Sequence, residues 1–359
     1  MMLNSLCNLK SRMRPVLLAL SVSSLLFISG CSGFLGKFAH KQVGVPQLLT
    51  PLVGAETPQL IAEVNRLAAI KSLHGKLDIQ IQDTSFAAVG KAEKYRAADA
   101  DVTVQRPGKV YLIIQFAHVD IAQMSSDGEQ FRVALLKGDE KYKKFVKGTN
   151  KANYGELKPD STDGKQPKEQ KSTNATVGSL SNLRPQHLTD ALLILPIEPV
   201  AQSGLLYSQS EFYEEEADTR PQATSGARVV RGYYLLEEMS TGGPGEAHLK
   251  RRIWFDRIGG IRLARIQTFD ECGLLDTDIT YNADATLGDS PGARLPSRIE
   301  LTRPKDHYKL SLTYQAPESV VIDREWNPEV FILLNRWQLP EVDLDVQKPA
   351  ARNVTVTCH

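Results

Sequence analysis

Two segments of the chain carry apolar residues at helical spacing, and each predicts an amphipathic helix. The first follows Thr57-Pro58, which has the form of a helix start, because an N-cap residue stands before a Pro at the first helical position. Its apolar stripe consists of Leu60, Ile61, Val64, Leu67 and Ala68. That helix is predicted to end near Leu73 to Gly75. The second helix is predicted from Leu183 to Leu195, with Leu188, Ala191, Leu192 and Leu195 on one side.

Most of the remaining apolar pattern has a period of two, which is typical of strands with one buried face. The clearest example is Lys76 to Gln82, where apolar and polar residues alternate strictly. Further strands are predicted at Asp101–Gln105, Val110–Phe116, Phe131–Leu135, Val229–Leu236, Arg252–Arg257, Ile261–Thr268, Leu275–Tyr281, Ser297–Leu301 and Tyr308–Tyr314. Regular short strands separated by Gly, Asp and Pro turns favour an antiparallel meander over a parallel sheet.

The pattern predicts one domain over residues 56–335. Within it, residues 147–182 are nearly free of large apolar side chains, so we expect a disordered insertion that cannot offset its ordering entropy. Glu214 to Ala227 reads as an acidic connection containing Gly and Pro, and Asn327 to Leu334 as a short closing helix or strand. Residues 336–359 are expected to form a polar tail.

The composition is that of a folded globular protein. Of 359 residues, 42% are hydrophobic and only four are Cys, which excludes collagenous, wholly disordered and disulfide-dense chains. The formal charge of +1 gives no electrostatic reason to expect a nucleic-acid partner.

The first thirty residues have the pattern of a secretory signal peptide. Lys10, Arg12 and Arg14 precede an uncharged apolar run from Val16 to Ile28, which is too short for a comfortable membrane-spanning helix. Losing these three basic residues with the signal turns the formal charge slightly negative.

The end of this segment, Ile28-Ser29-Gly30-Cys31, resembles the bacterial lipobox. The resemblance implies cleavage between Gly30 and Cys31, and acylation of Cys31 by diacylglyceryl and amide-linked chains such as palmitate. Residues 31–55 would then tether the domain to the lipid. Ser32 in place of Asp implies sorting to the outer membrane, on its periplasmic side. The alternative is a plain secretory signal or membrane anchor with a chance Cys.

Two other cysteines remain in the exported chain, Cys272 and Cys358. An oxidising periplasm permits a disulfide between them, but their spacing does not decide whether they pair. No cluster of Cys and His suggests a metal site, and we expect no cofactor.

The order of elements is similar to that of the Lol-type family of periplasmic lipoprotein carriers and receptors. The likeness covers about Thr57 to Leu334. It is carried by Ile70–Ile79, Val104–Leu112, Arg252–Arg257 and Pro296–Leu301. It implies a mainly β, α+β fold: a curved antiparallel sheet that forms an incomplete half-barrel, with helices across its mouth. The arginine that controls lid closure in the carriers is not matched to a position here.

The resemblance also implies an apolar cleft on the inner side of the sheet, where the carriers accept acyl chains. The residues predicted to line it are Leu112, Ile114, Ile121, Phe131, Val133, Ile253, Phe255, Ile279, Leu310 and Leu312. Trp254, Tyr281 and Tyr314 are candidates for its rim. The alternative for each of these residues is ordinary core packing beneath the helices.

The sequence therefore predicts a non-enzymatic, lipid-anchored envelope protein that binds an acyl chain, lipid or lipoprotein. A structural or sensory lipoprotein that binds another envelope protein is the second hypothesis. A hydrolase ranks last, because no G-x-S-x-G nucleophile elbow occurs and its residues would have to meet only in the folded chain.

Overall fold

The computed structural model describes residues 45–84, 93–94, 96–150, 152, 183–198, 204–242, 245–288 and 294–347. The predicted signal peptide, Gly30, Cys31, Cys358 and nearly all of the predicted insertion lie outside the described residues. Residues from Leu48 onward belong to one structural unit, to which the elements below belong.

The unit is built around one 17-stranded sheet. Its strands are β1 (Gln47–Leu48), β2 (Ser72–Asp83), β3 (Glu93–Lys94), β4 (Ala98–Gln105), β5 (Lys109–Phe116), β6 (Val119–Asp127), β7 (Gln130–Leu135), β8 (Lys144–Thr149), β9 (Leu205–Ala217), β10 (Arg228–Thr241), β11 (Ala247–Asp256), β12 (Arg262–Phe269), β13 (Leu275–Thr286), β14 (Arg294–Arg303), β15 (Tyr308–Tyr314), β16 (Val321–Ile322) and β17 (Glu341–Asp343).

The strands pair mostly with their sequence neighbours, as a meander requires. β9 to β15 form one antiparallel run, and β4 to β8 form another. The two runs are joined through β2, which pairs with β15 on one side and β4 on the other. β17 adds to β8 in parallel. The result is a curved sheet that is open and not closed into a barrel, so the predicted fold class is confirmed.

Helix α1 (Thr57–Ala68) and helix α2 (Pro185–Leu192) are the two longer helices of the described chain, and α3 (Leu344–Gln347) is a single turn. The N-cap of α1 is Glu56 rather than Thr57, and its backbone N–H donates to Gln59 Oε1 at 2.7 Å. α1 also ends earlier than predicted, because β2 begins at Ser72 and pairs with β4 along the whole length of β4. No helix in the described part of the chain is long and apolar enough to cross a membrane.

Both longer helices pack on the same face of the sheet, here called the inner face. α1 buries Leu60, Val64 and Leu67, and α2 buries Leu188, Ala191 and Leu192, all within one core cluster that includes the inner-face strand residues. Burial of apolar surface supplies about 25 cal/mol per Å², so this contact is the main force that holds the helices to the sheet.

Strand β9 was not predicted from the sequence, and the predicted insertion begins before the end of β8. Glu214 to Glu216, expected in an acidic connection, lie in β9, where they pair with Arg231, Val230 and Val229 of β10. Charged side chains suit this strand because Glu215 and Glu216 form ion pairs with arginines of β10. Lys147 to Thr149, assigned to the insertion, are the last residues of β8.

The C-terminal prediction also needs correction. Asn327 to Leu334 holds a 3-10 turn, Pro328–Phe331, rather than a full helix or a strand, and Phe331 is completely buried. The expected polar tail contributes β17 and α3, and Leu344 is 1% exposed. These residues fold because their few apolar side chains, including Leu339, pack against the β7–β8 region.

Candidate functional site

The inner face beneath the helices is where the sequence analysis places a ligand cleft. Its predicted lining residues are buried, none more than 8% exposed: Leu112, Ile114, Ile121, Phe131, Val133, Ile253, Phe255, Ile279, Leu310 and Leu312. All of them belong to one cluster with the apolar residues of α1 and α2. The structure therefore shows these side chains as part of a packed core.

An apolar cavity of about 20 Å³ remains between the two helices and the β13–β14 region of the sheet. Leu67 of α1, Ala191 and Leu192 of α2, and Leu295 and Ile299 of β14 line it, and none of the predicted cleft residues does. Pockets that hold small molecules usually measure about 300–1,000 Å³. A ligand would therefore enter this interior only if the helices moved away from the sheet.

Tyr281 places a polar group on the wall of this cavity. Its hydroxyl is buried and has no hydrogen-bond partner in the described chain. Burial, and to a smaller extent the negative charge of Asp190, raise the pKa of Tyr281, so the hydroxyl keeps its proton. Tyr314 also lines the cavity, whereas Trp254 lines a different groove, in which nine of the nineteen lining residues are charged.

The helices and the segment that follows α2, residues 193–197, form what we call the helical cover. Arg106 holds two parts of it at once. Its Nε donates to the carbonyl oxygen of Ile70, just after α1, at 3.0 Å. Its Nη2 donates to the carbonyl oxygen of Ile194, just after α2, at 2.6 Å. Partial burial lowers the pKa of the Arg106 guanidinium, which nevertheless stays charged because an unperturbed arginine has a pKa above 12.

The position of Arg106 follows from a tight turn between β4 and β5. The turn consists of Arg106-Pro107-Gly108, and Gly108 has φ +63°, in the left-handed region that favours glycine. The backbone N–H of Arg106 donates to the carbonyl of Lys71 at 2.9 Å, which fixes the base of the side chain beside the end of α1.

Asn65 makes a second link within the helical cover. Its Nδ2 donates to the carbonyl of Ile197 at 3.1 Å, and its Oδ1 accepts from the N–H of Ile197 at 2.8 Å. One side chain of α1 thus binds both backbone groups of a residue after α2. Asn65 and Arg106 together tie the two helices to each other at their C-terminal ends.

The N-terminal end of α2 is anchored differently, through a buried His187. Its Nδ1 lies 2.5 Å from the hydroxyl of Tyr308 on β15. Burial, with the positive charges of Arg303 and Arg184, lowers the pKa of His187 well below its ordinary value. The imidazole is therefore neutral, and its Nδ1 accepts from Tyr308.

Sequence reasoning did not find Arg106 or Asn65 as functional candidates. The Lol-type resemblance left the lid-controlling arginine unmatched, although Arg106 lies within the segment Val104–Leu112 that carries the resemblance. An Arg-Pro-Gly turn at the end of an alternating strand was the available signal. Its partners, Ile70 and Ile194, are brought to it only by the fold.

The opposite face of the sheet, here called the outer face, carries charge instead of apolar surface. A chain of ion pairs, here called the charge ladder, crosses β9 to β13 through Glu216, Arg231, Asp256, Arg262 and Asp284. Asp256 Oδ2 lies 2.9 Å from Arg231 and 2.8 Å from Arg262, and Arg262 lies 3.1 Å from Asp284. Each ion pair of the ladder thus links two neighbouring strands, from β9 to β13.

Cys272 lies in the turn between β12 and β13 and is disulfide-bonded. Its N–H donates to Asp270 Oδ1 at 2.9 Å, which fixes that turn. Because Cys358 lies outside the described residues, its pairing with Cys272 stays a prediction, as does the acylation of Cys31.

Comparison with known proteins gives similarity at the level of solved structures. No protein-family model matches the chain, and no curated protein matches it. A DUF1329 family protein from Desulfovibrio piger is 12% identical, with a TM-score of 0.39 over 76% of this chain and 95% of that chain.

Two further solved structures bear names of the Lol type, the class that the sequence resembles. A LolA superfamily protein from Nitrosomonas europaea is 10% identical, with a TM-score of 0.38 over 78% of this chain and 99% of that one. A domain named for outer membrane lipoprotein sorting, from Vibrio parahaemolyticus, is 11% identical, with a TM-score of 0.37 over 76% and 94%. At such identities the likeness concerns the fold alone.

Proposed function

We propose that this chain is a lipid-anchored periplasmic protein that takes up the apolar chain of a lipid or lipoprotein between the helical cover and the inner face. The observation that carries the proposal is the way the cover is held. Its contact with the sheet is mainly apolar. Its polar links come from a small set of side chains, among them Arg106, Asn65, His187 and Arg251.

An apolar contact surface can exchange one apolar partner for another, because hydrophobic burial is non-directional. Hydrogen bonds are directional, so these few links fix the closed position of the cover. An acyl chain that replaced the cover would restore the buried apolar area, and the cost of opening would be the loss of these few bonds.

Lipid attachment at Cys31 and placement at the outer membrane complete the proposal. They rest on the lipobox-like sequence Ile28-Ser29-Gly30-Cys31 and on Ser32. Labelling of the full-length chain with a radioactive fatty acid tests them, and loss of the label in Cys31→Ala is expected.

Ligand binding is tested on the full chain carrying Cys31→Ser, with the neutral apolar fluorophore N-phenyl-1-naphthylamine as the probe. In Arg106→Leu, two bonds from a charged donor are lost, each contributing about 1.5–3 kcal/mol. Since 1.4 kcal/mol is a tenfold change in affinity, we expect the variant to bind the probe at least about a hundredfold more tightly, because opening costs less.

Arg220→Leu is the matched control, since Arg220 lies in an exposed turn and, among the described residues, pairs with Asp218 alone. It removes the same charge and should leave probe affinity unchanged. The proposal fails if the protein with Arg106 and Arg220 unchanged binds no probe at micromolar concentrations, and no lipid can be extracted from the purified protein.

A protein partner is the second candidate, favoured by strand β9 at the end of the sheet. Its Leu206 and Tyr213 are 47% and 51% exposed. A photo-crosslinking residue at Tyr213 that captured one envelope protein in stoichiometric amount would support this candidate over lipid binding.

A further inference from the structure

Strands β12 and β13 separate at one end of their pairing. The ladder between them runs from Phe269 opposite Leu275 to Arg265 opposite Thr280 and then stops. Beyond that point β12 pairs only with β11, and β13 only with β14, in the described chain. The two strands thus form a fork within an otherwise continuous sheet.

The backbone at the fork is strained. Ala283 has φ +51°, a left-handed conformation that is uncommon for a residue other than glycine. The hydroxyl of Ser297 on β14 donates to the carbonyl of Ala283 and holds it there. Backbone conformations of this kind are energetically unfavourable and are found most often at functional sites.

A pocket of about 320 Å³ lies at the fork, between α1 and the ends of β12, β13 and β14, and we call it the fork pocket. Leu67 of α1 and Pro296 of β14 line both the fork pocket and the 20 Å³ apolar cavity beneath the helical cover. These two side chains therefore stand between the fork pocket and the apolar interior.

The charged residues of the fork pocket are Glu63, Arg66, Arg262, Asp284 and Arg294. Arg66 pairs with Glu63 at 2.8 Å. Arg262 pairs with Asp284 at 3.1 Å and, outside the pocket lining, with Asp256 at 2.8 Å. Arg294 is exposed and has no acidic partner in the described part of the chain. Among the residues that line the pocket, three arginines thus face two carboxylates, and the charge without an acidic partner in the described residues is that of Arg294.

We propose that the fork pocket binds the anionic headgroup, carboxylate or phosphate, of a single-chain amphiphile. The chain of this ligand passes between Leu67 and Pro296 into the space beneath the helical cover, so the inference rests on the proposed function. Arg294 is the cation that contacts the headgroup, and the unpaired hydroxyl of Tyr281 is the polar group that the interior offers to the ligand. The ligand of the proposed function would thus be an anionic amphiphile that enters at the fork between β12 and β13.

The test compares the affinities of four twelve-carbon ligands for the full-length protein carrying Cys31→Ser. They are dodecanoate, dodecyl phosphate, the neutral dodecanol and the cationic dodecyltrimethylammonium, and titration calorimetry measures their affinities below micelle-forming concentrations. We expect the two anions to bind at least tenfold more tightly than the alcohol, and the cation to bind most weakly. The tighter of the two anions identifies the headgroup.

Arg294→Glu reverses the unpaired charge at an exposed position, so the fold is expected to be unaffected. It should weaken the binding of both anions at least tenfold and leave the affinity for dodecanol unchanged. Arg298→Glu is the matched control, because Arg298 is on the same strand but lines a different pocket, and it should change neither.

Equal affinity for dodecanol and the anions, or an equal loss for both in Arg294→Glu, overturns the headgroup site while leaving apolar binding intact. Absence of binding by every ligand, including the alcohol, overturns the proposed function itself. The two failures are therefore distinguishable.

Discussion

The two faces of strand β11 differ in the kind of contact their side chains make. Ile253 and Phe255 point to the inner face and are completely buried among apolar neighbours. Trp254 and Asp256 alternate with them and face the outer side, where Arg265 lies over the indole ring at 4.6 Å and two arginines contact the carboxylate. The strand is thus apolar on one side and ion-paired on the other.

The difference separates two tasks within one sheet. The ion pairs of the outer face are directional and link specific residues on neighbouring strands, so they favour one register. The apolar contacts of the inner face supply most of the free energy but specify little geometry. A sheet whose register is fixed from the outside can change what covers its inside, as uptake of an apolar ligand requires.

The largest effect on stability is expected when a large buried side chain is removed from the inner face. Phe255→Ala removes a completely buried aromatic side chain and should lower the free energy of unfolding by about 3–5 kcal/mol, measured by urea denaturation. Phe255→Leu serves as the control, with a loss below about 1.5 kcal/mol if volume is what matters. A loss below 1 kcal/mol in Phe255→Ala would show that the inner face is not a tightly packed core.

A smaller effect is expected from breaking the charge ladder at its centre. Asp256→Ala leaves Arg231 and Arg262 without their shared carboxylate, which is only 11% exposed. We expect a loss of about 2 kcal/mol in the free energy of unfolding, with binding of the apolar probe unchanged. Arg228→Ala breaks an exposed pair with Glu215 and should cost about 0.5 kcal/mol. Equal losses in the two variants would argue against a special role for the ladder.

The smallest effect concerns the anchor of α2 and depends on pH. Because the pKa of His187 is lower in the folded chain than in the unfolded chain, the unfolded chain binds more protons below about pH 6.5. Stability conferred by neutral His187 is therefore complete above pH 6.5 and declines as the pH falls, by about 1 kcal/mol between pH 7 and pH 5.5.

His187→Gln should make the free energy of unfolding less dependent on pH in this range, while lowering its value at pH 7. If the free energy of unfolding changed equally with pH in the two proteins between pH 7 and pH 5.5, the protonation of His187 would not be linked to unfolding.

The parts of the fold that sequence predicted best are those with strong local patterns. The strands predicted at Arg252–Arg257 and Ile261–Thr268 are present as the antiparallel neighbours β11 and β12, and the alternating strand Tyr308–Tyr314 is present as β15. β9 was missed because none of its side chains is buried, so no row of buried apolar residues marks one face of the strand in the sequence.

The candidate sites were harder to predict because they depend on contacts between distant segments. Arg106 acts through the carbonyl groups of Ile70 and Ile194, which carry no side-chain signal. The fork exists because the pairing of β12 with β13 stops at Arg265, and nothing in the local sequence marks that point. Leu67 and Ala191 belong to ordinary helix stripes in the sequence, and only the placement of the helices on the sheet brings them to the cavity. Tyr281, a candidate for the rim, also lines that cavity.

The junction of β2 with β15 has a consequence for the order in which the chain folds. The two runs of the sheet meet only through this pairing among the described strands, and Gln315 reaches across it to Asp78, 237 residues earlier. Contacts of such large sequence separation form slowly. A chain that crosses a membrane from its N-terminus would deliver β2 long before β15, and the unpaired edge of β2 would be exposed during transport. The sheet therefore becomes continuous only when almost the whole chain has been delivered, and until then one edge of β2 lacks the strand that covers it.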